Sequence, residues 1–99
     1  MDAPMTADVF HPHTGKVFRV KGGRHELTLS SVDLHSVEGW DPKIVPHRPF
    51  TLIFAGPPRD VLSQGMYTFE VADGPQFDIY VIPVQTHVST RQDYQAVFN

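Results

Sequence analysis

Residues 65–84 read GMYTFEVADGPQFDIYVIPV. In the first half Tyr67, Phe69 and Val71 alternate with Met66, Thr68 and Glu70. A period of two is the mark of a strand with one face in a core. The centre, ADGPQ, is turn chemistry, and the alternation resumes as Phe77, Ile79 and Val81. The stretch predicts a β-hairpin, and the rest of the chain follows the same rhythm. Its second strand has a further property: Tyr80, Ile82 and Val84, on the opposite parity, are apolar too. Asp78 sits among these apolar residues and is expected on the solvent face.

Working outward, FTLIFAG (50–56) puts Phe50, Leu52 and Phe54 on one face and Ile53 and Ala55 on the other, and GPPRD ends it. The chain closes on YQAVFN (94–99), with Tyr94, Ala96 and Phe98 on one face and Val97 on the other. A terminal strand stays ordered when it is hydrogen-bonded into a sheet, and burying Phe98 would contribute roughly 1.5–3 kcal/mol. Towards the N-terminus, KVFRVK (16–21) directs Phe18 and Val20 to the core, and Gly22-Gly23 make a tight turn. In HELTLSSVDLHSV (25–37), Leu27 and Leu29 are odd but Val32 and Leu34 are even. Side chains of a regular strand alternate strictly, so the flip at Ser30-Ser31 predicts a β-bulge or a break. EGWDPKIVPHRP (38–49), with three prolines, reads as a long surface loop carrying Trp40. TADVF (6–10) is the one helical candidate, with Thr6 as N-cap and Pro12 soon after.

These elements predict a single all-β domain over residues 1–99, with about six mostly antiparallel strands in a small barrel or sandwich and a short N-terminal helical turn. Ninety-nine residues make one domain. No apolar run reaches the roughly 18 residues of a membrane span, and MDAPMTADVF lacks the apolar core of a signal peptide. There is no cysteine, which excludes disulfides and thiolate metal sites. A cytoplasmic protein, or one assembled into a particle there, is the expectation. Eight Lys and Arg against eleven Asp and Glu give a net charge of −3. Adding six protons to the six histidines turns −3 into +3, so the charge reverses in mild acid.

From Phe50 onward the chain resembles a small bacterial family of unknown function. The likeness rests on PFTLIFAGPP, LSQGMYTFE, FDIYVIPV and the terminal YQAVFN. These match an F-x-L-x-F-x-G-P strand, an L-x-Q-G-x-Y turn, a V-P strand and an A-V-F-N ending; TGKVFRV matches more weakly. Gly56, Pro57, Leu62, Gln64, Gly65, Tyr67, Pro83, Ala96, Val97, Phe98 and Asn99 carry it. The resemblance implies no activity. It implies company, since such genes tend to lie beside genes for phage-tail-collar-like proteins. As chemistry the motif residues are turn and core residues.

The sequence offers three candidate sites. His11 and His13 form H-x-H, and on a strand residues i and i+2 share a face; but Pro12 lies between them, and a metal needs a full first shell, which the distant His35, His47 or His87 could complete only through the fold. Lys16, Arg19, Lys21 and Arg24, interleaved with Phe18, form a basic patch of the sort that meets single-stranded nucleic acid. Against that, Phe18 shares the parity of the core and the chain is acidic overall, so nucleic acid is not the expected partner. No nucleophile elbow, paired carboxylates or phosphate loop is present, and no cofactor is implied. The strongest signal is the second apolar face, at Ile53, Tyr80, Ile82 and Val97. A one-layer sheet would be polar there. The sheet packs on itself, or the N-terminal helix covers this face, or another subunit does. With Trp40 as a loop anchor, the sequence points to a non-enzymatic binding or assembly module that meets a protein partner or itself, such as a component of a phage-tail-like or other multi-protein structure. The rival expectations are a metal- or ligand-binding barrel enzyme using His11 and His13, and a single-strand nucleic-acid binder.

Overall fold

The computed structural model describes residues 6–35, 41, 43, 48–72, 74–86 and 88–98. After a single helical turn, α1 (Ala7–Phe10), and a 3-10 turn (His11–His13), six strands follow: β1 (Val17–Val20), β2 (Glu26–Leu34), β3 (Phe50–Gly56), β4 (Gly65–Val71), β5 (Gln76–Val84) and β6 (Gln92–Phe98). They close into a barrel in the order β1-β2-β3-β6-β5-β4, with β4 returning to β1. Every neighbouring pair is antiparallel. The choice between barrel and sandwich is thus settled in favour of the barrel.

The parity flip in β2 is a bulge. Leu29 pairs with Phe54, but the next pair is Ser31 with Ile53, so Ser30 is the extra residue. The bulge lets Leu27 and Leu29 before it and Val32 after it all reach the core. The β1–β2 turn contains Gly22 at φ +77, a conformation that costs other residues more.

A barrel this small is filled by its own side chains. Phe18, Leu27, Leu29, Phe50, Leu52, Phe54, Phe69, Ile79, Val81 and Tyr94 are all but fully buried. Aromatic rings meet throughout this core: Phe18 meets Phe54 edge-on at 5.2 Å, and Phe50 lies flat on Phe98 at 4.6 Å. The second figure accounts for the chain's apolar ending, because Phe98 pairs with Phe50 in register and completes the aromatic layer there.

Each end of the barrel has a plug. At the end where β3 starts and β6 stops, α1 inserts Phe10, which is fully buried with its ring 4.7 Å from Phe77, 5.7 Å from Phe98 and 5.9 Å from Phe50. The helix therefore enters the barrel end and does not cover the outer sheet face. Thr6 stands at the N-cap in extended conformation, although its hydroxyl makes no cap hydrogen bond. At the opposite end the β3–β4 loop folds in. Leu62 is buried, and its backbone N–H donates to the Tyr94 hydroxyl at 2.8 Å. Gly56 is required by this packing: a Cβ there would lie 2.7 Å from Leu27 Cδ2 and 3.2 Å from Tyr94 Cε1.

Candidate functional site

The inner faces of β3, β5 and β6 are used up by the core, so their apolar outer residues lie on the outside of the barrel. Ile53 and Ile82 are both in register with Gln95, which sets them in one row across three strands. Val97 is in register with Thr51 on β3 and is 46% exposed. Tyr80 is in register with Met66 on β4; they are 45% and 63% exposed. Ile53 and Ile82 are half-buried. Gln64 donates to the Tyr80 hydroxyl at 3.1 Å, which holds the phenol against the wall. Single exposed apolar residues are ordinary on a protein surface. Five on contiguous strands, joined by register, form a patch.

The charges on this wall's outward positions are acidic. Thr68 donates to Asp78 at 2.6 Å, Gln76 donates to Glu70 at 3.3 Å, and Arg91 donates to Asp93 at 2.8 Å. Asp78 is on the solvent face, as its parity predicts.

The basic patch is less concentrated than its sequence. Arg24 forks onto the Asp60 carboxylate, Nε to Oδ2 at 3.2 Å and Nη2 to Oδ1 at 2.8 Å, and His25 Nε2 lies 3.2 Å from the same Oδ1. The Arg24 hydrogen bonds, more than the charges around it, hold the Asp60 carboxyl below its ordinary range. Arg19 lies in register with Glu26 on one side and Glu70 on the other. Phe18, the aromatic that would stack on a base, is inside the barrel. Lys16, Arg19 and Lys21 take part in none of the ion pairs formed among the described residues. Beside them Val17, Arg19, Glu26, Glu70, Val71, Ala72, Gly74 and Gln76 line a groove of about 470 Å³.

His11 and His13 do not share a face. Pro12 places them in a 3-10 turn, where successive residues are about 120° apart. His11 is exposed. His13 sits edge-on to Phe18 and Phe77 at 6.2 and 6.0 Å, and its buried Nδ1 has no hydrogen-bond partner. Burial, and then the nearby Lys16, push its pKa below the usual value. Among the described residues no three His, Asp or Glu side chains come together as a metal site. Trp40, His47 and His87 lie outside the described residues. The base of the Trp40 loop is defined: His35 N–H donates to Pro49 O at 2.9 Å, Arg48 Nε donates to His35 O at 2.8 Å, and His35 Nε2 lies 2.6 Å from Thr51 Oγ1.

The polar cluster of Arg24, His25, Asp60 and Tyr94 was not foreseen from the sequence. Its parts lie far apart along the chain, and only the closing of the β3–β4 loop over the barrel end assembles them. Burial raises the Tyr94 pKa, against the lowering effect of the Leu62 hydrogen bond.

Leu62 and Gln64 lie in this loop, and Gly65 and Tyr67 open β4 beside it. Tyr67 donates its hydroxyl to Ser63 O at 2.8 Å, and Gly65 packs against the Tyr67 ring. Residues 5–98 match the family model described as Domain of unknown function (DUF6916). The chain belongs to the DUF6916 family. No curated protein and no solved structure matches it. In this DUF6916 domain Leu62 stops one end of the barrel, Gly56 leaves room there for Leu27 and Tyr94, and Phe98 packs against the Phe10 plug at the other end. No described helix is long and apolar enough to cross a membrane.

Proposed function

We propose that this domain is a protein-docking module whose working surface is the outer wall of β3, β6, β5 and β4. The observation that carries the reading is the row Ile53–Gln95–Ile82, flanked by Tyr80, Met66 and Val97. These residues lie outside a barrel whose interior is already filled. Covering such a patch removes apolar area from water at roughly 25 cal/mol per Å² before the costs of association. A rigid closed barrel loses little conformational entropy on docking, and the tyrosine offers a large contact area with few rotatable bonds. A multi-protein particle such as a phage-tail-like structure is a fitting setting for a module of this kind.

The test is a photo-activated cross-linker placed at position 80 in cells that make the protein, with position 33 on the outer face of β2 as control. The reading predicts protein adducts from position 80 and few from position 33. Adducts that are equally abundant at both positions, or absent from position 80 as well as from 82 and 97, refute it.

A further inference from the structure

Residues 6–14 stand apart from the barrel they plug. Among the described residues their backbone hydrogen bonds are all local: Val9 N–H donates to Thr6 O, His11 N–H to Ala7 O and Thr14 N–H to His11 O. The tie to β2 begins at Gly15, whose N–H donates to Leu29 O at 2.8 Å and whose φ of +86 turns the chain. The segment is therefore held by its side chains: Ala7 and Phe10 are buried, Val9 packs on the core, and His13 lies against Phe18 and Phe77. A unit with no backbone tie to its surroundings is the kind that opens locally while the rest stays folded.

His13 is the weak point of this packing. Its Nδ1 is buried and has no hydrogen-bond partner. A neutral imidazole can leave that nitrogen as a bare acceptor and keep its one proton on Nε2. The imidazolium carries a proton on both nitrogens. The buried one then becomes a donor without an acceptor, and a charge is set among aromatic rings. The surroundings give no relief. Asp8 on α1, His11 in the same turn, Arg19 on β1, Glu26 and Asp33 on β2 and Asp78 on β5 are all exposed, and none reaches that nitrogen. Lys16, the charge that does bear on the ring, repels a second positive charge.

We infer that residues 6–14 form a plug that mild acid releases: protonation of His13 ejects the 3-10 turn, and Phe10, at the end of the helical turn that runs into it, leaves the barrel end as well. The mouth so opened is rimmed by Phe50, Phe77 and Phe98, which Phe10 touches in the closed form. The direction follows from where the proton is tolerated. In the released segment the imidazole titrates at its ordinary 6.5, and in the closed plug it resists the proton. Closure is thus favoured above 6.5 and is lost as pH falls through the lower, closed-form value. Stranding one buried donor is enough to shift such an equilibrium about tenfold. The device does not depend on the docking reading.

The chain has no cysteine, so a single introduced thiol reports on its own place. Ala7→Cys puts one in the plug and Ala96→Cys puts one in the barrel, both at buried positions. Labelling by dithiodipyridine, which reacts with thiols in acid as well as at neutral pH, is measured against a free-thiol peptide at each pH. Between about pH 7.5 and about pH 5.5, on either side of the ordinary imidazole value, labelling at position 7 is expected to rise about tenfold. Labelling at position 96 is expected to stay unchanged. His13→Phe keeps an aromatic ring without the nitrogen and should flatten the response at position 7; should it fold poorly, His13→Gln serves the same end. His11→Gln should leave the response intact. If Ala7→Cys itself disturbs the plug, exchange of the Val9 and His11 backbone amides in the wild-type chain reads the same opening. A response that is flat, or that falls in acid, overturns the inference. So does a rise that survives His13→Phe and His13→Gln, or one that position 96 shares, which would mean general unfolding.

Discussion

The inner and outer faces of β3, β5 and β6 are both apolar, and they have opposite fates. The inner face is finished within the chain. Phe10 stops one end, Leu62 stops the other, and Phe50, Phe54, Ile79 and Tyr94 between them are at most 1% exposed. Among the described residues the outer face has no such plug: Tyr80 and Val97 keep nearly half of their surface in water. Buried and water-exposed apolar residues thus sit one position apart on the same strand. On the docking reading proposed above, what separates them is whether the chain itself supplies the other side of the contact.

The two faces should respond differently to substitution. The largest effect is expected from Phe10→Ala, which empties the plug under Phe77, Phe50 and Phe98 and should cost about 3–5 kcal/mol in denaturant unfolding. Gly56→Ala comes next. Its Cβ would press on Leu27 and on the Tyr94 ring, at a cost of about 1–3 kcal/mol. Tyr94→Phe keeps the ring and strands the buried Leu62 N–H, for about 1–3 kcal/mol. A loss near zero in that variant would mean that water replaces the hydroxyl and that this end is less well sealed than its partner.

Acid should loosen both plugs, through different groups. His13 has a folded pKa below its unfolded value of 6.5, so the stability it contributes is present above that value and fades as pH falls through the folded one. Asp60 is likewise depressed, from 3.8, so the Arg24–Asp60 contribution is present above about that pH and is lost below it. Acid melts of Asp60→Asn and His13→Gln should separate the two: the first should track the wild type only in strong acid, the second already in mild acid. The smallest stability effects belong to the outer face. Val97→Thr or Tyr80→Thr should alter unfolding by no more than about 0.5 kcal/mol, since threonine suits a strand and little core contact is lost.

Much of this was legible in the sequence for a plain reason. Strand side chains alternate, so 50–56, 65–71 and 77–84 disclosed both their class and their faces, and the parity flip at Ser30-Ser31 marked the place of a bulge or a break, which the register shows to be a bulge at Ser30. Closure was not legible. It depends on β1, four residues long, pairing with β4 some fifty positions away, and nothing local announces such a contact. The plugs were half-visible: the helical turn was readable in TADVF, but its destination was not, and Leu62 was hidden in a segment that reads as turn. The H-x-H pair was already doubtful from Pro12, but the 3-10 turn that separates the two imidazoles was not readable from the sequence. The basic cluster looked concentrated because its acids, Asp60 and Glu70, come from other parts of the chain.

The central claim is that the outer wall serves association and not folding. The most direct measurement is the size of the species that carries this chain in extracts of its own cells, compared between wild type and Ile82→Thr/Val97→Thr, with the purified variant's unfolding run beside it. The account predicts a folded variant of nearly unchanged stability that has left the large species and runs at the size of a single copy of the protein. A variant that stays in a species of wild-type size, or that unfolds like a core mutant, would contradict it.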